Sequence, residues 1–204
     1  MTEYWNENLT EASWKKLQEI SQEYDFTLIG GWAAYLWTGK NKSKDIDIIV
    51  GFETLERFKQ DYEMRKNENL KKYEIKTGKF DIDIYVPYYS DLILPLDDLK
   101  TTKIKGIKTL AIEELLILKQ DAEIDRGGTV KGRKDKIDIL TLLIHGDVDL
   151  KRYGEIVERY EISGFKDELK RVIMEFKDED IKYTGLGFKD FKDWKKEFLS
   201  KIKG

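Results

Sequence analysis

Four acidic residues in two short segments carry the clearest chemistry of the chain. Two lie in Lys44-Asp45-Ile46-Asp47-Ile48-Ile49-Val50 and two in Phe80-Asp81-Ile82-Asp83-Ile84-Tyr85-Val86. Side chains alternate between the faces of a strand. Asp45 and Asp47 therefore share one face, with Ile46 and Ile48 on the other. Asp81 and Asp83 are placed the same way opposite Ile82 and Ile84. If the two strands pair, the carboxylates gather over an apolar underside. Carboxylates that close repel each other unless a cation lies between them, and hard oxygen donors suit Mg²⁺ or Mn²⁺. A carboxylate-held ion with room for phosphate oxygens is what phosphoryl or nucleotidyl transfer requires.

The elements that must position these acids can be read on either side of them. Phe26-Thr27-Leu28-Ile29 reads as a buried strand, Gly30-Gly31 ends it, and a helix follows over Trp32 to Trp37. A strand, two glycines and a helix N-terminus form an anion cradle, because glycine lets backbone N–H groups approach phosphate and the helix dipole favours negative charge there. Upstream, Trp14, Leu17 and Ile20 recur at helical spacing after a Thr10 N-cap, which predicts an amphipathic helix over 10–24. Leu55, Phe58 and Tyr62 predict a further helix. Tyr73 to Lys76 and Phe80 to Val86 flank Thr77-Gly78-Lys79 and predict a hairpin, which brings the Asp81/Asp83 strand into the sheet. A second hairpin is predicted over Lys103 to Lys108, turning at Gly106. From Leu110 onward the apolar spacing is helical to the end of the chain.

This order of features resembles the nucleotidyltransferase superfamily that includes DNA polymerase beta: a Gly-Gly or Gly-Ser turn, a helix, an Asp-x-Asp strand and a third carboxylate on the next strand. The matching residues are Gly30-Gly31, then Asp45 and Asp47, then Asp83 or Asp81. The run Lys42-Ser43-Lys44-Asp45-Ile46-Asp47 is similar to the basic/hydroxyl-x-Asp-x-Asp run of AbiEii-type and MNT-like prokaryotic nucleotidyltransferases. Lys131-Gly132-Arg133-Lys134-Asp135-Lys136-Ile137-Asp138 is similar to the Lys-Asp motif of that group. The resemblance spans roughly residues 26–145. It departs at Trp32, where many members carry Ser or Thr whose hydroxyl touches phosphate.

The resemblance implies an α+β fold: a small mixed β-sheet domain with flanking helices over 1–108, followed by a helical domain over 109–204. It implies transfer of a nucleoside monophosphate from a nucleoside triphosphate, with two Mg²⁺ (or Mn²⁺) ions held by Asp45, Asp47 and Asp83. Asp83 is favoured over Asp81 as the third ligand because it lies mid-strand, away from the hairpin turn. Gly30 and Gly31 would hold phosphates, with Lys42 or Lys44 meeting phosphate from the basic loop and Ser43 hydrogen-bonding near the metal strand, and Lys119 would reach the triphosphate as a lysine on such a helix does in the related enzymes.

Lys131, Arg133 and Lys134 stand at a helix start, where the dipole disfavours cations. That placement points to a polyanion. Asp135 and Asp138 share a face one turn apart and either hold these cations or, for Asp135, act on the acceptor. The acceptor is open among RNA (a tRNA end), a protein and a small-molecule hydroxyl. The alternative is a non-catalytic nucleotide or RNA binder, or one partner of a toxin–antitoxin-type pair.

Composition narrows the remaining classes. At 204 residues with 40% hydrophobic content the chain supports a sizeable core. Charged residues reach 38% yet nearly cancel, leaving a net charge of −3, so any basic nucleic-acid footprint must be local. Cysteine is absent, which excludes thiolate chemistry and zinc–thiolate sites. No apolar run reaches the ~18 residues a membrane span needs, and no signal peptide is evident. A cytoplasmic location is the expectation.

Overall fold

The structure is a computed structural model and describes residues 7–202. Two compact units are present, one ending at Ala111 and the other beginning at Ile112. The first is α+β and the second is helical. The order in the first unit is α1 (Glu7–Glu23), β1 (Thr27–Ile29), α2 (Gly30–Thr38), β2 (Ile46–Ile49), α3 (Phe52–Asp61), β3 (Arg65–Asn67), β4 (Lys72–Lys76), β5 (Asp81–Tyr85), β6 (Thr101–Ile104) and β7 (Ile107–Leu110). A short 3₁₀ turn, Leu96–Asp98, follows Pro95.

The seven strands form one mixed sheet in the order β3-β4-β5-β2-β1-β7-β6. β2 runs parallel to β5 and antiparallel to β1, and β4 pairs antiparallel with β5. Period-two alternation explains why the sheet holds. Ile46 pairs with Ile82 and Ile48 with Ile84, and all four are fully buried. Each such side chain contributes about 1.5–3 kcal/mol by leaving water. The same alternation turns Asp47 and Asp83 to the opposite face. The apolar stripe of α1 buries Leu17 and Ile20, and Tyr24 stacks on Phe58 of α3 with ring centroids 4.1 Å apart.

Two turns fix the register. Gly78 adopts φ +82°, and the Thr77 hydroxyl donates to Phe80 O at 2.7 Å while accepting from Phe80 N at 3.1 Å. Locked this way, the hairpin aligns Glu74 with Asp83. The Lys105-Gly106 turn joins β6 to β7, and β7 lies parallel to β1. The expected helix at Trp32 in fact begins at Gly30, so both glycines form its first turn rather than a preceding loop. Strand β3 was not expected: Arg65-Lys66-Asn67 is a polar edge strand with no apolar alternation to reveal it.

The second unit contains α4 (Ile112–Arg126), α5 (Val130–His145), α6 (Leu150–Arg159), α7 (Gly164–Met174), a 3₁₀ turn (Asp178–Tyr183) and α8 (Phe188–Lys201). Thr129 caps α5 by accepting from Gly132 N at 3.0 Å, and Asp149 caps α6 through Lys151 N and Arg152 N. Ile137, Leu140, Leu116 and Val172 are among its fully buried residues. No helix among the described residues is long and apolar enough to cross a membrane.

Candidate functional site

The site begins where β1 meets α2. Ile29 pairs with Asp47 across β1 and β2, so Gly30 lies directly beside the Asp47 carboxylate. Gly30 has φ +69°, and a Cβ there would fall 2.2 Å from Asp47 Oδ2. A Cβ on Gly31 would fall 2.6 Å from Ser43 Oγ. Glycine is required at both positions because backbone, carboxylate and hydroxyl converge at the positive end of α2.

Trp32 is fully buried and anchors this corner. Its Nε1 donates to Ser13 Oγ at 2.9 Å, and Ser13 Oγ reaches Ser43 O at 3.3 Å. The ring also packs against Trp14 and Tyr35, with centroids 4.9 and 5.3 Å away. Core packing therefore occupies the Trp32 side chain, and the hydroxyl found beside the second glycine belongs to Ser43. Ser43 Oγ also donates to Asp45 O at 3.1 Å, which fixes the entry to β2. Lys42 is exposed and held by Glu11 at 3.0 Å.

Across the sheet, Asp47, Asp83 and Glu74 occupy one register row through β2, β5 and β4. Asp45, one residue before β2, accepts from Asp81 N at 3.1 Å. Asp81 is paired with Lys76 at 2.7 Å on the rim. Asp83 Oδ2 accepts from Lys72 Nζ at 2.5 Å, and Lys72 lies 3.3 Å from Glu74 Oε1. Asp83 Oδ1 is buried and has no hydrogen-bond partner. Burial pushes the Asp83 carboxyl above its ordinary value despite the pull of Lys72. Burial disfavours the Lys72 charge, yet Asp83 and then Glu74 outweigh it and hold the ammonium above its ordinary value.

The donor chemistry fits a hard divalent ion: oxygen donors only, acids outnumbering bases, and one orphaned buried oxygen. Convergence is incomplete. Among the described residues no three Asp, Glu or His side chains are drawn together as a metal cage. Asp83 turns toward Lys72 and Asp45 toward the β5 backbone, which accounts for the spread. Lys72 and Glu74 were not anticipated as site residues. Their signal was the alternation Lys72-x-Glu74-x-Lys76 beside the Asp81/Asp83 strand.

In the second unit, Lys119 is 8% exposed and binds Asp135 Oδ1 at 3.2 Å and Asp138 Oδ2 at 2.7 Å. Arg126 reaches Asp135 Oδ2 at 2.9 Å. Burial raises the Asp138 carboxyl above its ordinary value, opposed by Lys119. Arg133 forks onto Asp180 at 2.6 and 2.8 Å and also meets Glu179. Of the cations expected at the start of α5, Arg133 is thus engaged by the 3₁₀ turn; Lys131 is exposed and Lys134 half-buried. Asp135 holds Lys119 and Arg126, and Asp138 holds Lys119 with Lys134 also acting on its charge. His145 ends α5 with Nε2 2.6 Å from Thr184 O.

No protein-family profile and no curated protein sequence matches the chain. Solved structures do. JHP933 from Helicobacter pylori aligns over 97% of this chain and 97% of its own, with 16% identity and a TM-score of 0.52. A second Helicobacter pylori protein, provisionally described as a nucleotidyltransferase, aligns over 97% of this chain and 96% of its own, with 16% identity and a TM-score of 0.54. The chain has a nucleotidyltransferase-type fold.

Proposed function

We propose that the chain is a metal-dependent nucleotidyltransferase that moves a nucleoside monophosphate from a nucleoside triphosphate to an acceptor hydroxyl. The observation that carries this reading is the contact of the Asp47 carboxylate with Gly30, with Asp83 beside it on the next parallel strand. Phosphates and a cation would meet at that point.

Asp45, Asp47 and Asp83 would hold Mg²⁺ or Mn²⁺, which would neutralise phosphate charge and make the acceptor oxygen a better nucleophile. Backbone N–H groups at the start of α2 would bind phosphate oxygens, helped by the helix dipole. The Ser43 hydroxyl would provide the contact that Trp32 cannot, by turning its single proton from Asp45 O to a phosphate oxygen. In the second unit, Lys131 and Lys134 are the proposed polyanion contacts. Lys119 and Asp135 are bound to each other in that unit's ion-pair frame, which suits them to positioning.

The test is incubation with each labelled nucleoside triphosphate, Mg²⁺ or Mn²⁺, and separate RNA, protein and small-molecule acceptor pools. Label transferred to one pool, and lost in Asp47→Ala, supports the reading. Metal-dependent nucleotide binding with no transfer to any pool favours a non-catalytic binder of the same fold, the setting in which a toxin–antitoxin-type partner would be sought.

A further inference from the structure

A resident cation already stands in the carboxylate row. Lys72 belongs to β4, and its ammonium lies between Asp83 Oδ2 at 2.5 Å and Glu74 Oε1 at 3.3 Å. The residue is 8% exposed, and the site around it is built. Asn67 Nδ2 donates to Glu74 Oε1 at 3.0 Å, and Lys76 lies 3.4 Å from Glu74 Oε2. Glu74 is thereby pinned on both oxygens, and it pins Lys72 in turn. The remaining oxygen of Asp83, Oδ1, is buried without a hydrogen-bond partner.

We propose that Lys72 is a permanent positive charge of this row, taking the place of one of two divalent ions, so that the row accepts a single ion through Asp47 and Asp83 Oδ1. The proposal rests on the metal-binding reading above and adds the number of ions and the residue that limits it. The physical reason is simple. A fixed ammonium bound to Asp83 Oδ2 offsets part of the row's negative charge, so it weakens the hold on one ion at Oδ1 and opposes entry of a second, and burial weakens the screening between the charges. Lys72 also removes one Asp83 oxygen from the donors available, and it ties up Glu74, the one further carboxylate of the row. A lysine here acts on the ion by charge and by position, without touching the reacting atoms.

The experiment measures Mn²⁺ binding to the metal-free, nucleotide-free chain by electron paramagnetic resonance. The parent should take one Mn²⁺. Lys72→Met keeps the length and removes the charge; it should bind Mn²⁺ at least about tenfold more tightly or take a second ion. Lys72→Arg should match the parent, which separates charge from packing. Unchanged affinity and stoichiometry in Lys72→Met, two ions on the parent, or no binding by either protein overturns the proposal.

The parent alone supplies a second measurement should Lys72→Met fail to fold. Lys72 should be protected from acetic anhydride, read by mass spectrometry, with and without Mn²⁺. Labelling of Lys72 on Mn²⁺ addition means the ion displaces it, and overturns its permanence. Neither assay contains nucleotide or acceptor. A chain that binds Mn²⁺ as described but transfers no nucleotide therefore defeats the catalytic reading alone. A chain that transfers nucleotide while Mn²⁺ binding ignores Lys72 defeats the role of Lys72 alone.

Discussion

Across α4 and α5, Lys119 and Arg126 face Asp135 and Asp138, two cations on two carboxylates. Across β2, β5 and β4, Asp47, Asp83 and Glu74 stand in one row with Asp45 just before it, and one buried ammonium lies among them. Both clusters are largely withdrawn from water, where an uncompensated charge is costly. The helical cluster balances its charge internally, and such a cluster fixes how two helices pack. The sheet row keeps an excess of acid, which its backbone register enforces and which its own lysines do not cancel. An excess maintained at that cost is where a cation from outside is expected. Hydrogen-bonded charge is present in both, so burial alone does not distinguish a structural cluster from a reactive one. The balance of charge does.

The largest effect should come from the acid-rich row. Asp47→Ala should lower nucleotide transfer by about a hundredfold to a thousandfold, as loss of several kcal/mol of transition-state charge stabilisation implies. Its melting temperature should stay near that of the parent. Asp83→Asn should be nearly as severe, while Asp81→Asn should be mild, because Asp81 is a rim residue paired with Lys76. Rates of labelled-nucleotide transfer for the three variants give the ranking, and equal loss in Asp81→Asn and Asp83→Asn would mean that the two acids share one role.

The balanced cluster should respond the other way. Lys119→Met leaves Asp135 and Asp138 facing each other and should cost about 3–5 kcal/mol of stability, read by urea unfolding. Mn²⁺ should recover none of that loss, since the frame is not expected to take an ion. For Lys72→Met in the sheet, Mn²⁺ should recover stability, because binding to the folded state alone stabilises it. Equal behaviour of the two variants toward Mn²⁺ would erase the distinction drawn between the clusters.

How much of this was legible in the sequence follows from range along the chain. The Asp-x-Asp alternation and the Gly78 hairpin are local signals that put Asp47, Asp81 and Asp83 on their strands, whereas Asp45 lies one residue ahead of β2 and the glycine pair opens α2 instead of ending a strand. The partners of the acids were not legible. Lys72 lies 11 residues from Asp83, and only the hairpin register brings them together. Arg133 stands where a phosphate contact was expected, but its carboxylate partner Asp180 lies 47 residues further on. Lys119 read as a triphosphate contact, and its burial against Asp135 and Asp138 follows only from the packing of α4 against α5. Trp32 looked like a loss at the glycine turn. The hydroxyl that accompanies Gly31 comes instead from Ser43, through the Trp32–Ser13–Ser43 chain of hydrogen bonds.

A smaller effect should separate the remaining cations of α5. Lys131→Ala/Lys134→Ala should weaken polyanion binding several-fold and reduce its salt dependence by up to about two counterions, because fewer are released. Thermal stability should hold or rise slightly, since Lys131, a cation in the first turn of α5, opposes the dipole. Binding curves with a short RNA at two salt concentrations test this. An unchanged salt slope would make this helix start a solvated end.

The smallest effect is a change in pH dependence at Asp138. Burial raises its carboxyl above the unfolded value, and Lys119 pulls the other way without reversing the shift. Between the ordinary carboxylate value and the raised one, the folded chain holds more protons than the unfolded chain. Stability contributed by this group is then fully present below the unfolded value and is lost as pH rises through the folded one. Asp138→Asn mimics the protonated form and removes the titration. Acidifying from neutral pH should therefore favour the parent relative to Asp138→Asn, and the gap between their urea midpoints should move steadily in the parent's favour. Were the Lys119 charge to dominate instead, the carboxyl would be lowered and acid would move the gap the opposite way. The sign of that movement measures whether burial or pairing controls the balanced cluster.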